Sequence, residues 1–104
     1  MEVIVLLIAF SIVPMGVGTS VGKYVQQVIK ELKNRGFKFE VGPMFTTVEV
    51  KPEDMMKFFE FIRDVHEMFA AQGIGRIETL IKIDDRRDKP ETIEYKVKRA
   101  LGEI

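Results

Sequence analysis

Four groups of residues in this 104-residue chain have types and spacings that could do chemistry. The first is Gly16-Val17-Gly18-Thr19-Ser20, which follows an apolar run ending at Pro14 and could turn backbone N–H groups toward the polar edge of a ligand. It lacks the lysine and spacing of a P-loop and the third glycine of a dinucleotide fingerprint, so nucleotide binding is not supported. Its plainer role is a turn in which Pro14 ends a strand, the glycines redirect the chain and Thr19 or Ser20 caps a helix. The second group is Glu49 with Thr46 and Thr47. Glu49 reads either as a solvated strand end or as a carboxylate acceptor for a basic heterocycle. The third is His66, the only histidine, which lies between Ile62 and Phe69 on an apolar helix face. That setting favours a hydrogen-bonded core histidine over a general base, and with no second histidine it is a poor metal ligand. The fourth is "DDRRDKP", residues 84–90, a charged turn held by Arg–Asp pairs rather than an anion site.

Composition narrows the classes that these groups could serve. Sixteen basic residues balance sixteen acidic ones, which removes the electrostatic footprint of a nucleic-acid binder or of a protein held on an anionic membrane. Cysteine is absent, so disulfides and thiolate metal sites are excluded. The apolar stretch Val3–Phe10 is far shorter than the roughly 20 residues of a membrane helix, and Glu2 stands where a signal peptide is positive. The expectation is a cytoplasmic protein with one domain spanning residues 1–104, long enough to bury a core without staples.

The elements that must position these residues follow from periodicity. Val3 to Val13 is rich in Val and Ile and reads as a strand ending at Pro14, apolar on both faces and therefore central. Val21, Tyr24, Val25, Val28, Ile29 and Leu32 form a helical stripe that Gly36 terminates. "FKFEV" (37–41) and "FTTVEV" (45–50) make a hairpin around Gly42-Pro43. Pro52 opens a second helix with the stripe Met55, Phe58, Phe59, Ile62, Val65 and Phe69, and Gly73 closes it. Its Met and Phe enrichment marks core and interface rather than a cofactor box. "RIETLIKID" (76–84) returns as a strand, and Pro90 opens a last helix carrying Ile93, Val97 and Leu101.

The order is β-α-β-β-α-β plus a helix, the split βαβ arrangement of an α+β ferredoxin-like sandwich with an extra C-terminal helix. Helices cover one sheet face in that fold. A first strand apolar on both faces then needs a second cover, expected to be the sheet of another subunit, with the last helix as the alternative. Phe61 and Met68 lie outside the second helix's main stripe and widen its apolar arc in the same sense.

Across nearly its whole length the chain resembles the small ferredoxin-like thiamine-binding proteins related to YkoF, first known as an uncharacterised conserved family. The resemblance is carried by "FSIVPMGVGTSVGKYV" (10–25), "PMFTTVE" (43–49), "VHE" (65–67) and "GIGRIETLIKIDDRRDK" (73–89). It implies a homo-oligomer, dimer or tetramer, associating through sheet faces. It also implies binding of thiamine or its hydroxymethylpyrimidine part without catalysis; no cofactor, metal, nucleic acid or membrane is expected. The ligand-binding residues it implies are Ser11, Pro14 and Gly16 from the first segment and Thr46 and Glu49 from the second. Arg76 and Arg87 match too, in structural roles. Such proteins usually carry Pro-Met-Gly-Thr and then Glu-Gly, where this chain has Pro43-Met44-Phe45-Thr46 and Glu49-Val50. Phe45 could fill the pocket or stack on the ligand. On a regular strand Thr46 and Glu49 face opposite sides, so either a bulge intervenes or Thr47 partners Glu49. Glu49, Thr47, Ser11 and Phe10 or Phe45 supply groups suited to an aminopyrimidine and a thiazolium cation. Two rival expectations are a cofactor-free enzyme using His66 as base, and a regulatory or interaction module using the Gly16–Ser20 loop at a dimer interface.

Overall fold

A computed structural model describes residues 3–104, so Glu2 lies outside the described residues. Four strands, β1 (Leu6–Met15), β2 (Lys38–Val41), β3 (Thr46–Val50) and β4 (Arg76–Asp84), form one antiparallel sheet in the order β2-β3-β1-β4. Helices α1 (Gly22–Asn34) and α2 (Met55–Ala71) follow β1 and β3, and α3 (Ile93–Ala100) follows β4. This is the ferredoxin-like α+β sandwich with its extra C-terminal helix.

Strand β1 starts and ends later than its composition predicts, and it runs through Pro14, which pairs with Ile77. The reason is local. Strand β3 pairs with β1 only from Leu6 to Phe10, so beyond Phe10 the strand has β4 alone as a neighbour and an imino nitrogen can face the unpaired side. Neither Thr19 nor Ser20 caps α1, which begins at Gly22 with Val21 in the cap position and no side-chain cap bond. The loop's glycines do turn the chain, Gly16 and Gly18 lying at φ 81° and 94°. Helix α2 is preceded by a 3-10 turn at Pro52–Asp54, and α3 starts after Pro90, with Thr92 Oγ1 accepting from Tyr95 N–H at 3.1 Å.

The core lies between the sheet and the pair α1 and α2. Ile8, Phe10 and Ile12 of β1 and Val48 and Val50 of β3 meet Val28 and Leu32 of α1 and Phe58, Phe61, Val65 and Phe69 of α2. Phe10 packs edge-on against Phe58 and Phe61 at 5.5 and 5.6 Å, and burying each such ring stabilises the fold by about 1.5–3 kcal/mol. Phe61 is therefore core, not an outward extension of the apolar arc: it is completely buried, with the Arg35 guanidinium 5.8 Å from its ring centre. Met68 packs against the same cluster.

The opposite sheet face is covered in part. Helix α3 lies over the Leu7 end, leaving Leu7 and Ile93 buried, while Val13, Met15 and Leu80 at the other end are exposed. The first strand's second apolar face thus has its own chain over one half and solvent over the other. No helix of the described residues is long and apolar enough to cross a membrane.

Candidate ligand-binding site

Strand register decides which side chains share the sheet face under α3. Glu40 pairs with Thr47, Thr47 with Ala9, and Ala9 with Lys82. These residues form one row across all strands on the α3 side. Two residues along, Lys38, Glu49, Leu7 and Asp84 form a parallel row. Above them stand Ile93 and Val97 of α3, and a cavity of about 350 Å³ lies between helix and sheet. Its floor is Leu7, Ala9 and Thr47, its roof Ile93 and Val97, and Phe45 closes one side. That volume falls within the roughly 300–1,000 Å³ of small-molecule pockets, and the mix of apolar floor, one aromatic ring and a few polar groups is what such pockets use.

Helix α3 stays in place through few contacts, most of them polar. Glu49 Oε1 accepts from the Ile93 N–H at 2.9 Å, satisfying a free donor of the helix's first turn, and Glu49 Oε2 lies 3.2 Å from Lys38 Nζ. Lys38 also reaches Glu94 Oε2 at 3.1 Å, and its ammonium is held above its ordinary pKa by that bond first and then by Glu49. Lys96 Nζ donates to Asp84 Oδ2 at 2.5 Å, which holds the Asp84 carboxyl below its usual range. Glu49 is accordingly neither a solvated strand end nor a free acceptor: only 10% of its side chain is exposed and both its oxygens are engaged.

The other expected site residues divide among different surroundings. Thr47 and Phe45 line the cavity. Thr46 does not, because the β1–β3 ladder is continuous from Leu6↔Val50 to Phe10↔Thr46, leaving no bulge to rotate it. It is buried on the helix side beside Phe10. Phe10, Ser11, Phe45 and Thr46 do border a separate cleft under α1, but at about 100 Å³ it is too small for a two-ring ligand. Pro14 is buried within β1, and Gly16 sits in the exposed turn beyond it. Seven residues past Ala9, that turn is about 23 Å along the strand direction from the cavity. Val50, where the resembling proteins carry glycine, points into the core at 3% exposure rather than into the cavity.

Sequence reasoning missed Glu40, Lys82, Asp84, Lys96 and the α3 pair Ile93 and Val97. The alternation of Lys38 and Glu40 with Phe37 and Phe39 carried a signal for Glu40; nothing local placed α3 over the sheet. A larger groove of about 640 Å³ opens beside the Lys38–Glu49 pair, between Arg35, Lys38, Lys51, Asp54 and Lys57. Its basic and acidic side chains are largely paired, as in Lys57–Asp54, Arg35–Asp64 and Lys38–Glu49, so a polar ligand there would have to break existing bonds. His66 lies on the other side of the sheet, its Nε2 2.5 Å from Thr79 Oγ1. In the 84–90 turn Arg86 pairs with Asp88 and Glu91, and Arg87 with Asp85, as their spacing implies.

Fold and cavity together define a ferredoxin-like domain with a cavity of small-molecule size, and comparison with known proteins gives it a family. The sequence profile of the thiamine-binding protein family matches residues 8–101. The chain belongs to that family. Among its relatives is the UPF0045 protein MJ1052 of Methanocaldococcus jannaschii, 37% identical over 94 residues that cover 90% of this chain and 89% of that one. The crystal structure of MJ1052 superposes with a TM-score of 0.77 at 32% identity, over 96% of this chain and 98% of that chain. The UPF0045 protein YqgV of Bacillus subtilis is 37% identical over 92 residues, 84% of this chain and 86% of its own. A candidate thiamine biosynthesis/salvage protein from Thermotoga maritima, TM0486, superposes with a TM-score of 0.72 at 25% identity, covering 92% of this chain and 98% of that one.

Proposed function

We propose that this protein binds thiamine, or its hydroxymethylpyrimidine part, without catalysing a reaction, in the cavity between the sheet and α3. The observation that carries the reading is the cavity itself: about 350 Å³, with a Thr47 hydroxyl on its floor and the Phe45 ring at its side, in a chain of the thiamine-binding family. An aminopyrimidine can exchange hydrogen bonds with the hydroxyl and nearby carboxylates, and a thiazolium cation is attracted by an aromatic face. A binding role without chemistry is supported by the surroundings of His66, which is hydrogen-bonded to Thr79 on the sheet face away from the cavity.

In this reading the protein works as a homo-oligomer, a dimer or tetramer, with Val13, Met15 and Leu80 of one copy covered by the same sheet region of another. Thermal denaturation with increasing thiamine tests the binding reading. A melting temperature that rises progressively with thiamine concentration is the expected result, since a ligand bound to the native state stabilises it by mass action. An unchanged melting temperature at millimolar thiamine and pyrimidine would contradict it.

A further inference from the structure

We propose that the row Glu40–Thr47–Ala9–Lys82 is a directional cradle that holds the ligand lengthwise across the strands, its amino-bearing or cationic end at Glu40 and an oxygen-rich tail at Lys82. The ligand class that this arrangement favours is a heterocyclic cation carrying a monophosphate ester. This rests on the thiamine-type reading of the cavity and goes beyond it by assigning the ends.

Three observations converge on the row. First, the register puts one carboxylate and one ammonium at its two ends, with the hydroxyl of Thr47 and the small side chain of Ala9 between them. All four residues line the same cavity. Second, Glu40 and Lys82 are its unspent charges. Asp84 is bonded to Lys96 at 2.5 Å, whereas neither Glu40 nor Lys82 has an ion-pair partner within 4.0 Å among the described residues. A ligand can therefore take both without first breaking a bond, a cost that Asp84 and Lys96 would impose. Third, the span is suitable. Three strand spacings separate Glu40 from Lys82, about 14 Å between backbones, and the inward reach of both side chains leaves room for two linked rings and a short tail. Ala9, the smallest side chain in the row, leaves the floor open where such a molecule would bend.

The charge order sets the preference. A neutral hydroxyethyl tail gives the Lys82 ammonium one ordinary hydrogen bond, whereas a phosphate monoester gives it a charge-assisted one. Substitution at the two ends then has separable effects.

Calorimetric titration of the full chain with thiamine and with thiamine monophosphate tests this, using wild type, Glu40→Gln and Lys82→Met. The expected result is that wild type binds the monophosphate about tenfold more tightly than thiamine. Lys82→Met should remove that preference and weaken thiamine only by the few-fold that one ordinary hydrogen bond is worth, and Glu40→Gln should weaken both ligands about tenfold or more. Both positions are exposed and unpaired, so ligand-free melting temperatures should stay unchanged and report that the variants fold. If wild type binds thiamine but neither substitution matters, the cradle is wrong and the binding reading stands. If wild type binds both ligands equally, the tail assignment is overturned. If wild type binds neither ligand, the binding reading and the cradle fall together.

Discussion

Thr46 and Thr47 are neighbours on β3 with opposite surroundings, and the difference decides which of them a ligand can reach. Strand parity alone predicts that only one of them shares a face with Glu49, and the unbroken β1–β3 register makes that one Thr47. The role of Glu49 could not be read the same way, because its partner, the Ile93 N–H, is 44 residues away and no local pattern announces the contact. Glu49→Ala should destabilise the protein by about 1–2 kcal/mol in urea denaturation, the usual cost of losing a helix-capping acceptor, and should speed exchange of the Ile93 amide. Glu49→Gln, which keeps an acceptor oxygen, should cost less. Val50 poses a similar contrast: in sequence it replaces a glycine of the resembling proteins and suggests a filled pocket, but in the fold it packs among core residues. Val50→Gly should therefore cost about 3 kcal/mol of stability through a core void and a looser strand, and it should open no ligand space.

Among the elements, those built from strong periodicity were legible and those held by distant contacts were not. Strand β4 spans the residues its alternation predicts, and the glycine stops of α1 and α2 hold, with Gly36 and Gly73 at φ 78° and 86°. Strand β1 passed through its proline because a neighbouring strand had already ended, which sequence cannot display. Helix α3 was legible as a helix, but its docking over part of the open sheet face was only the alternative to a second subunit. Its stripe is Ile93, Val97 and Leu101, yet only Ile93 is buried, so its attachment depends on Glu49, on Lys38–Glu94 and on Lys96–Asp84. That makes it sensitive to acid. Lys96 holds the Asp84 carboxyl below its ordinary value of 3.8, so the stabilisation is present above that value and is lost as pH falls through the folded-state value. Amide protection across α3, taken relative to intrinsic exchange at each pH, should fall below about pH 3.8 before that of the core strands, and Asp84→Asn should flatten that acid limb. A uniform acid response of α3 and the core strands would mean the helix is not separately attached.

Across the whole molecule the shape is extended, at 47 × 29 × 20 Å, with a radius of gyration of 15.0 Å against about 13 Å for a compact domain of this length. The sheet is only half covered, which leaves Val13, Met15 and Leu80 exposed on one side. Light scattering at micromolar concentration should return a dimer or tetramer, and Leu80→Asp should dissociate it without unfolding the monomer; a wild-type monomer would remove the sheet-to-sheet contact. From sequence the doubly apolar first strand pointed to a second cover, and half of that face is exposed; the widened arc of α2 is no such signal, since Phe61 faces the core. Whether a ligand occupies the cavity under α3 is read by calorimetric titration of thiamine into wild type and into a Thr47→Val variant. Saturable binding at one site per chain, weakened about threefold to tenfold by the loss of the hydroxyl with the melting temperature of the ligand-free protein unchanged, is the predicted result. Absence of heat in wild type, or binding that Thr47→Val leaves untouched, would contradict it.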